Sequence, residues 1–117
     1  MRSCFKIRTI NNISPFGLER LSRDRYQISA DHDEPDAIIV RSADMHAMEI
    51  PASVKAVGRA GAGTNNVPVA ALSKRGVAVF NAPGANANAV KELVIASLFL
   101  SLRHICQAWG YVRGLSA

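Results

Sequence analysis

Two arginines and a glycine-containing loop are the residues of this 117-residue chain best suited to bind a small anion. Arg41 and Ser42 directly follow the apolar run Ala37 to Val40, and Arg59 ends a second short run just before Gly61-Ala62-Gly63. A guanidinium offers a fixed fork of donors that matches carboxylate or phosphate. Glycines let peptide N–H groups turn toward a common point. The pattern predicts an anion-binding loop, and a glycine-containing turn beside a solvated arginine is the alternative.

The same loop departs from the fingerprint of dinucleotide-binding proteins. Gly61-Ala62-Gly63 begins like G-x-G-x-x-G, but position 66 is Asn66 and not glycine. About twenty residues further on, where an acidic residue would bind a ribose, the chain has Pro83 and Gly84. We therefore predict no dinucleotide site at this loop.

The acidic and histidine residues indicate neither a metal site nor a catalytic base. One local cluster consists of Asp31, His32, Asp33, Glu34 and Asp36. Residues so close in sequence rarely converge on one ion, so we interpret this cluster as a solvated connection. His46 and His104 have no acidic partner at a recognisable spacing. No catalytic residue is assigned to this chain.

Composition and charge describe a globular protein without a nucleic-acid or membrane partner. The chain is 49% apolar and 20% charged, which argues against disorder. Its net charge of +5 is dispersed, with no basic run interleaved with aromatic residues, so we predict no nucleic-acid binding. Cys4 and Cys106 form no recognisable pair, which is compatible with a reducing compartment. The apolar stretch Leu93 to Leu102 is about half as long as a membrane span. Because of this and the unpaired cysteines, we expect a cytoplasmic protein.

Short apolar runs alternate with helix-like segments, and this rhythm predicts an α/β fold with a parallel sheet covered by helices. The predicted strands are Phe5 to Ile10, Tyr26 to Ile28, Ala37 to Val40, a fourth beginning at Ala56 and Val57, and Val77 to Phe80. A helix is expected to open at Ser14-Pro15, with its apolar face formed by Phe16, Leu18 and Leu21. A second, short helix is expected over Val69 to Leu72, ending in Lys74-Arg75-Gly76.

A single long helix is predicted from about Asn88 to Trp109. Its large apolar residues, from Leu93 to Leu102, leave hardly any polar face over several turns. Such a helix must be enclosed by other apolar groups. We therefore expect the chain to form a homo-oligomer through it.

Three blocks of the sequence together resemble the start of the D-isomer-specific 2-hydroxyacid dehydrogenases. The blocks are Ala37-Ile38-Ile39-Val40-Arg41-Ser42, Val57-Gly58-Arg59-Ala60-Gly61-Ala62-Gly63-Thr64-Asn65-Asn66-Val67 and Lys74-Arg75-Gly76-Val77-Ala78-Val79-Phe80-Asn81-Ala82-Pro83-Gly84-Ala85-Asn86. The resemblance extends from about Phe5 to Trp109. The residues of the first and last blocks are most similar to the phosphoglycerate branch of that family.

The resemblance implies a flavodoxin-like substrate-binding domain over residues 1–88, followed by an inter-domain helix and a frayed tail over 89–117. It implies substrate contacts from Arg41, Ser42, Arg59 and Asn86, and from the peptide N–H groups of Gly61 and Ala62. It also implies NAD as the cofactor of the parent enzyme, bound by a Rossmann domain that this sequence does not contain. The catalytic arginine, glutamate and histidine of the family would likewise follow Ala117, so we expect the fragment itself to be inactive and not to bind NAD.

For the parent enzyme, the resemblance implies oxidation of 3-phosphoglycerate to 3-phosphohydroxypyruvate, at the entry to serine biosynthesis. The partner of this chain would then be a small anionic 2-hydroxy acid. One alternative is a glyoxylate, hydroxypyruvate or glycerate reductase of the same family. Another is a free-standing module that binds small anions without catalysis.

Overall fold

A computed structural model describes residues 4–115 of the chain. It divides into two compact units, Met1–Pro83 and Gly84–Ala117. The strands are β1 (Phe5–Ile10), β2 (Tyr26–Ser29), β3 (Ala37–Val40), β4 (Ala56–Arg59) and β5 (Ala78–Phe80). The helices are α1 (Pro15–Leu18), α2 (Val69–Lys74), α3 (Ala87–Leu102) and α4 (Ile105–Gly114).

All neighbouring strands of the first unit pair in parallel, in the order β2-β1-β3-β4-β5. This is the flavodoxin-like order of doubly wound sheets. The predicted α/β class and parallel sheet are therefore confirmed. Strand β3 is an apolar run of mostly β-branched residues, and β1 alternates apolar with polar residues, as strands do. Turn-forming or helical segments separate each strand from the next along the chain.

The core lies mainly on one face of the sheet. Because side chains alternate along a strand, Ile38 and Val40 point to the same face, and both are buried. Val57 lies beside Ile38 in the register of β3 and β4 and extends this surface. The buried cluster consists of Ile38, Val40, Met45, Val54, Val57, Val67, Leu72 and Val77. Each large apolar residue buried here contributes roughly 1.5–3 kcal/mol relative to its exposed state.

Helix α2 closes this core and ends as its sequence predicts. Gly76 has φ +74°, the left-handed conformation that glycine adopts without steric cost. The N–H of Gly76 donates to the Ser73 carbonyl, and the N–H of Val77 donates to the Leu72 carbonyl, both at 3.0 Å. These are the two bonds of a Schellman motif, in which the residue after glycine packs back on the helix. Leu72 and Val77 accordingly both belong to the core.

The helix expected after Ser14 is shorter and more exposed than predicted. Helix α1 contains only Pro15–Leu18 and has no buried residue, and Phe16 is 83% exposed. Gly17 lies within this segment and lowers its helix propensity by about 1 kcal/mol relative to alanine. Of the apolar face predicted for this helix, Phe16 is exposed, and Leu18 and Leu21 are half-buried.

The long helix predicted over Asn88 to Trp109 is divided in the second unit. Helix α3 ends at Leu102, and α4 begins at Ile105 after His104, whose φ is +51°. A left-handed residue ends an α-helix, and histidine adopts this conformation more readily than most residues. The polar pair Arg103-His104 thus interrupts the apolar pattern at the point where the chain turns. None of the residues in α3 or α4 is buried.

Among the described residues, no helix is both long and apolar enough to cross a membrane.

Asp36 corrects the interpretation of the acidic cluster as entirely solvated. It is only 5% exposed, and its Oδ2 accepts a hydrogen bond from the N–H of Lys6 at 2.9 Å. Its own N–H donates to the Lys6 carbonyl, and its carbonyl accepts from the N–H of Lys55. Asp36 therefore ties together the chain segments at the amino ends of β1, β3 and β4, opposite the edge where the arginines lie.

Replacing Asp36 by alanine should lower the free energy of unfolding by about 1–3 kcal/mol, because a half-buried peptide N–H then loses its acceptor. The measurement is urea denaturation followed by circular dichroism. Asp33→Ala is the matched control, since Asp33 is exposed, and it should change stability by less than about 0.5 kcal/mol. Equal effects of the two variants would show that Asp36 is as solvated as its neighbours.

Candidate anion-binding site

The register of β3 and β4 brings the two predicted arginines to one edge of the sheet. Val40, the last residue of β3, pairs with Arg59, the last residue of β4. The pairing continues beyond the strands, where the N–H of Ala60 donates to the Val40 carbonyl at 2.7 Å. Arg41, which directly follows β3, therefore lies close to the end of β4, where Arg59 is the last residue. We call this place, where β3 and β4 end, the carboxyl edge; open parallel sheets bind their ligands at such edges.

The side chain of Arg59 folds back over Gly61. A Cβ atom built on Gly61 would lie 1.6 Å from Nη1 of Arg59 and 2.8 Å from its Cζ. No side chain at position 61 is compatible with this contact, so the glycine is required for the position of the guanidinium. The Arg59 Nε is buried and has no hydrogen-bond partner within residues 4–115. A cation with an unpaired donor thus lies directly on the glycine loop.

The backbone of the glycine loop is held on its carbonyl side. The N–H of Ala82 donates to the Gly61 carbonyl at 2.9 Å, and Asn81 Nδ2 donates to the Ala62 carbonyl at 2.7 Å. The N–H of Gly61 donates to the Arg59 carbonyl at 2.8 Å and is therefore already occupied. Of the two amides predicted as anion donors, that of Ala62 makes no hydrogen bond to the described protein, and the next amide, of Gly63, makes none either.

Two asparagines that the sequence analysis did not select hold the segment that carries Arg41 and Ser42. Asn11 Oδ1 accepts hydrogen bonds from the N–H groups of Ser42 and Ala43, at 3.2 and 2.6 Å. Asn66 Nδ2 donates to the carbonyls of Arg41 and Ala43, at 3.3 and 2.8 Å. The available signal for Asn11 was its place directly after the first predicted strand. Its partner was not evident, because the contact spans 31 to 32 residues of sequence.

The first unit thus brings together most of the predicted site residues, namely Arg41, Ser42, Arg59, Gly61 and Ala62. The side chains of Arg41 and Ser42 are exposed, and Arg59 is half-buried. Asn86 belongs to the second unit, where it directly precedes α3 and its carbonyl accepts the N–H of Val90 at 3.0 Å. Its contact with substrate stays a prediction.

The loop does not fit the pyrophosphate of NAD. A dinucleotide fingerprint places the glycines at the N-terminus of a helix, whose N–H groups bind the phosphates. Here α2 begins only at Val69, and the space above Gly61 is taken by the Arg59 guanidinium.

Within the described part of the chain, no group of three histidine, cysteine, aspartate or glutamate residues is placed to hold a metal ion. His46 Nε2 lies 3.0 Å from the Asn65 carbonyl oxygen.

A double-mutant cycle tests the contact between Arg59 and Gly61. Gly61→Ala introduces both an unfavourable backbone conformation, since φ is +157°, and the clash with the guanidinium. The backbone cost is the same whether or not Arg59 is present, so the cycle with Arg59→Ala isolates the clash. We expect a coupling free energy of at least about 0.5 kcal/mol in urea unfolding.

The control cycle pairs Arg59→Ala with Gly63→Ala, because a Cβ at Gly63 would meet the Asn65 side chain at 3.3 Å and not Arg59. That cycle should be additive within about 0.5 kcal/mol. Additivity in both cycles would mean that the contact of the guanidinium with Gly61 does not contribute to stability.

Comparison with known proteins places this sheet and its carboxyl edge in a family. Residues 10–111 match the family described as D-isomer specific 2-hydroxyacid dehydrogenase, catalytic domain. The chain is 40% identical to D-3-phosphoglycerate dehydrogenase of Mycobacterium leprae over 88 residues, which are 73% of this chain and 17% of that protein. It is 38% identical over 76 residues to D-3-phosphoglycerate dehydrogenase of Archaeoglobus fulgidus, covering 62% of this chain and 14% of that protein.

A relative with another printed activity also matches. Hydroxypyruvate reductase of Thermotoga maritima is 36% identical over 78 residues, which are 64% of this chain and 26% of that protein. The matched regions thus span between 14% and 26% of these relatives' lengths. The family match, in contrast, covers most of the chain and contains every residue of the carboxyl edge. The chain therefore belongs to the D-isomer specific 2-hydroxyacid dehydrogenase family.

Proposed function

We propose that this chain forms part of the substrate-binding side of an NAD-dependent 2-hydroxyacid dehydrogenase that oxidises 3-phosphoglycerate to 3-phosphohydroxypyruvate in serine biosynthesis. The observation that carries the proposal is the convergence of Arg41, Arg59 and the unpaired glycine-loop amides at one edge of the sheet. The similarity to D-3-phosphoglycerate dehydrogenases in two organisms supports this choice of substrate.

The site's donors match the two anionic ends of such a substrate. The adjacent N–H groups of Ala62 and Gly63 suit a carboxylate, which accepts two donors on neighbouring oxygens. The guanidinium groups of Arg41 and Arg59 suit a phosphate, since their forked donors bind its oxygens in pairs. The Ser42 hydroxyl adds a donor beside Arg41. This arrangement binds and orients an anion and does not itself move a hydride or a proton.

NAD would supply the hydride acceptor in the parent enzyme, and we place its site outside this chain. Two observations support this: the glycine loop does not fit a pyrophosphate, and the matched region is 17% of the Mycobacterium leprae relative. We accordingly propose that the chain alone is inactive. The proposed location of the enzyme is the cytoplasm.

A second candidate is a hydroxypyruvate reductase, favoured by the relative from Thermotoga maritima. The two candidates differ in whether the substrate carries a phosphate group. A phosphoglycerate enzyme needs a cation for that group, whereas a reductase of unphosphorylated acids needs donors only for the carboxylate and the keto oxygen. A third candidate, an anion-binding module without catalysis, would use the same carboxyl edge and would bind phosphate itself.

Arg41→Ala and Arg59→Ala should each weaken binding of 3-phosphoglycerate to the chain about tenfold or more, because a hydrogen bond to a charged group contributes about 1.5–3 kcal/mol. The measurement is isothermal titration calorimetry at fixed low salt. Arg20→Ala removes the same charge at an exposed remote position and should change affinity by less than about twofold.

The choice of ligands in this titration shows which group of the substrate each arginine binds. A loss seen with 3-phosphoglycerate but not with D-glycerate assigns that arginine to the phosphate, and equal losses assign it to the carboxylate. Titration with NAD should give no heat of binding. If the arginine variants bind both acids as tightly as the Arg20 control does, the carboxyl edge is not the substrate site.

We further propose that the isolated chain self-associates through α3. Its large apolar residues, including Leu93 at 68% and Phe99 at 60% exposure, gain roughly 1.5–3 kcal/mol each on full burial. A second copy offers the same apolar surface and would replace water on both helices. A net charge of +5 per chain opposes this association only weakly at physiological salt.

Phe99→Glu should therefore shift the chain toward monomer in sedimentation velocity at high micromolar concentration. Phe16→Glu is the matched control, because Phe16 is 83% exposed but lies in the first unit. It should leave the distribution of species unchanged. A wild-type chain that sediments as a monomer at this concentration contradicts the proposal.

A further inference from the structure

The backbone between Arg41 and Ala43 is held from both sides by side-chain amides. On one side, Asn11 accepts the N–H groups of Ser42 and Ala43. On the other side, Asn66 donates to the carbonyls of Arg41 and Ala43. A further bond, from the N–H of Met45 to the Asn66 carbonyl at 2.8 Å, extends this attachment to the buried Met45. Surface loops are usually more mobile than the elements they connect, and this segment is instead held by four side-chain hydrogen bonds.

One of the two asparagines accepts hydrogen bonds from this segment, and the other donates hydrogen bonds to it. Asn11 uses only its oxygen, and its φ of +68° places it in the left-handed conformation that asparagine tolerates. Asn66 uses only its nitrogen toward this segment. The orientation of the Asn66 amide is fixed chemically, because a reversed amide would set its oxygen against two carbonyl oxygens.

This restraint has a consequence for recognition. The N–H groups of Ser42 and Ala43 are occupied by Asn11 and are not available to a ligand. The segment therefore presents its side chains, the Arg41 guanidinium and the Ser42 hydroxyl, to an anion at the carboxyl edge. The glycine loop contributes in the opposite way, through its free backbone N–H groups.

We propose that Asn11 and Asn66 are positioning residues that fix Arg41 and Ser42 for substrate binding. This inference rests on the proposed function, in which the carboxyl edge binds an anionic 2-hydroxy acid. Neither asparagine needs to touch the substrate. A restrained arginine loses less conformational freedom on binding than a free one, so removing the restraint weakens binding without removing any donor.

The same chemical change, asparagine to aspartate, should be tolerated at position 11 and disruptive at position 66. Asn11→Asp keeps the oxygen acceptor and should leave hydrogen exchange of the Ser42 and Ala43 amides no faster than in the wild type. Asn66→Asp removes the donor and places a carboxylate against two carbonyls, so exchange should accelerate about tenfold, as expected for the loss of two hydrogen bonds. Exchange is measured by NMR on the full chain. Asn11→Ala removes the acceptor and should also accelerate exchange.

The affinity for 3-phosphoglycerate, measured by calorimetry on the same variants, tests the link to binding. Asn65→Asp is the charge control, because it adds the same charge beside Asn66 while the Asn65 side chain makes no hydrogen bond to the segment. Asn66→Asp should bind at least about fivefold more weakly than Asn65→Asp, and Asn11→Ala should bind more weakly than the wild type by a similar factor. If Asn66→Asp does not fold, Asn66→Ala removes the donor without adding charge.

The outcomes separate this inference from the proposed function. Equal exchange rates in the two aspartate variants would overturn the assignment of acceptor and donor. Faster exchange with unchanged affinity would show that the asparagines stabilise the loop but do not position the arginine, and would also overturn it. Absence of any 3-phosphoglycerate binding by the wild type would contradict the proposed function. In that case an exchange pattern as predicted would support the restraint by itself, and a flat pattern would overturn it.

Discussion

The pairing of β3 with β4 is the constraint on which the carboxyl edge depends. Val40 and Arg59 are partners in a parallel register, so two segments that are separate in sequence must end side by side. The register is set by burial, because shifting either strand by one residue would turn its fully buried valine, Val40 in β3 or Val57 in β4, toward the other face. The position of two arginines at one edge is thus a consequence of the packing of apolar side chains on the face below.

The loops beyond this pairing are restrained by polar groups, each in its own way. At the glycine loop, Asn81 and the N–H of Ala82 bind carbonyls, and the free N–H groups are left to a ligand. At the segment from Arg41 to Ala43, Asn11 and Asn66 bind both N–H and carbonyl groups, and the side chains are left free. The missing side chain at Gly61 lets Arg59 lie on the loop. The carboxyl edge therefore offers N–H donors from a restrained loop and guanidinium donors from arginine side chains whose backbone is also restrained.

Much of this fold could be predicted from local sequence, and the failures share a cause. The strands and α2 were predictable because apolar runs, turn residues and the Lys74-Arg75-Gly76 ending act locally. Asp36 was misread because its burial depends on Lys6, a contact across 30 residues. Asn11 and Asn66 were missed for the same reason, since their partners lie 23 to 32 residues away. The break at His104 was missed because the apolar pattern on both sides outweighed a polar pair in the prediction.

The most direct test of the account is an NMR titration of the wild-type chain with 3-phosphoglycerate, in which the backbone amide signals are followed residue by residue. Binding at the carboxyl edge predicts saturable shifts that are largest at the free amides of Ala62 and Gly63, with little change at Lys6 and Asp36 on the opposite edge. Shifts spread evenly over surface amides, or concentrated at the amino ends of the strands, would contradict it.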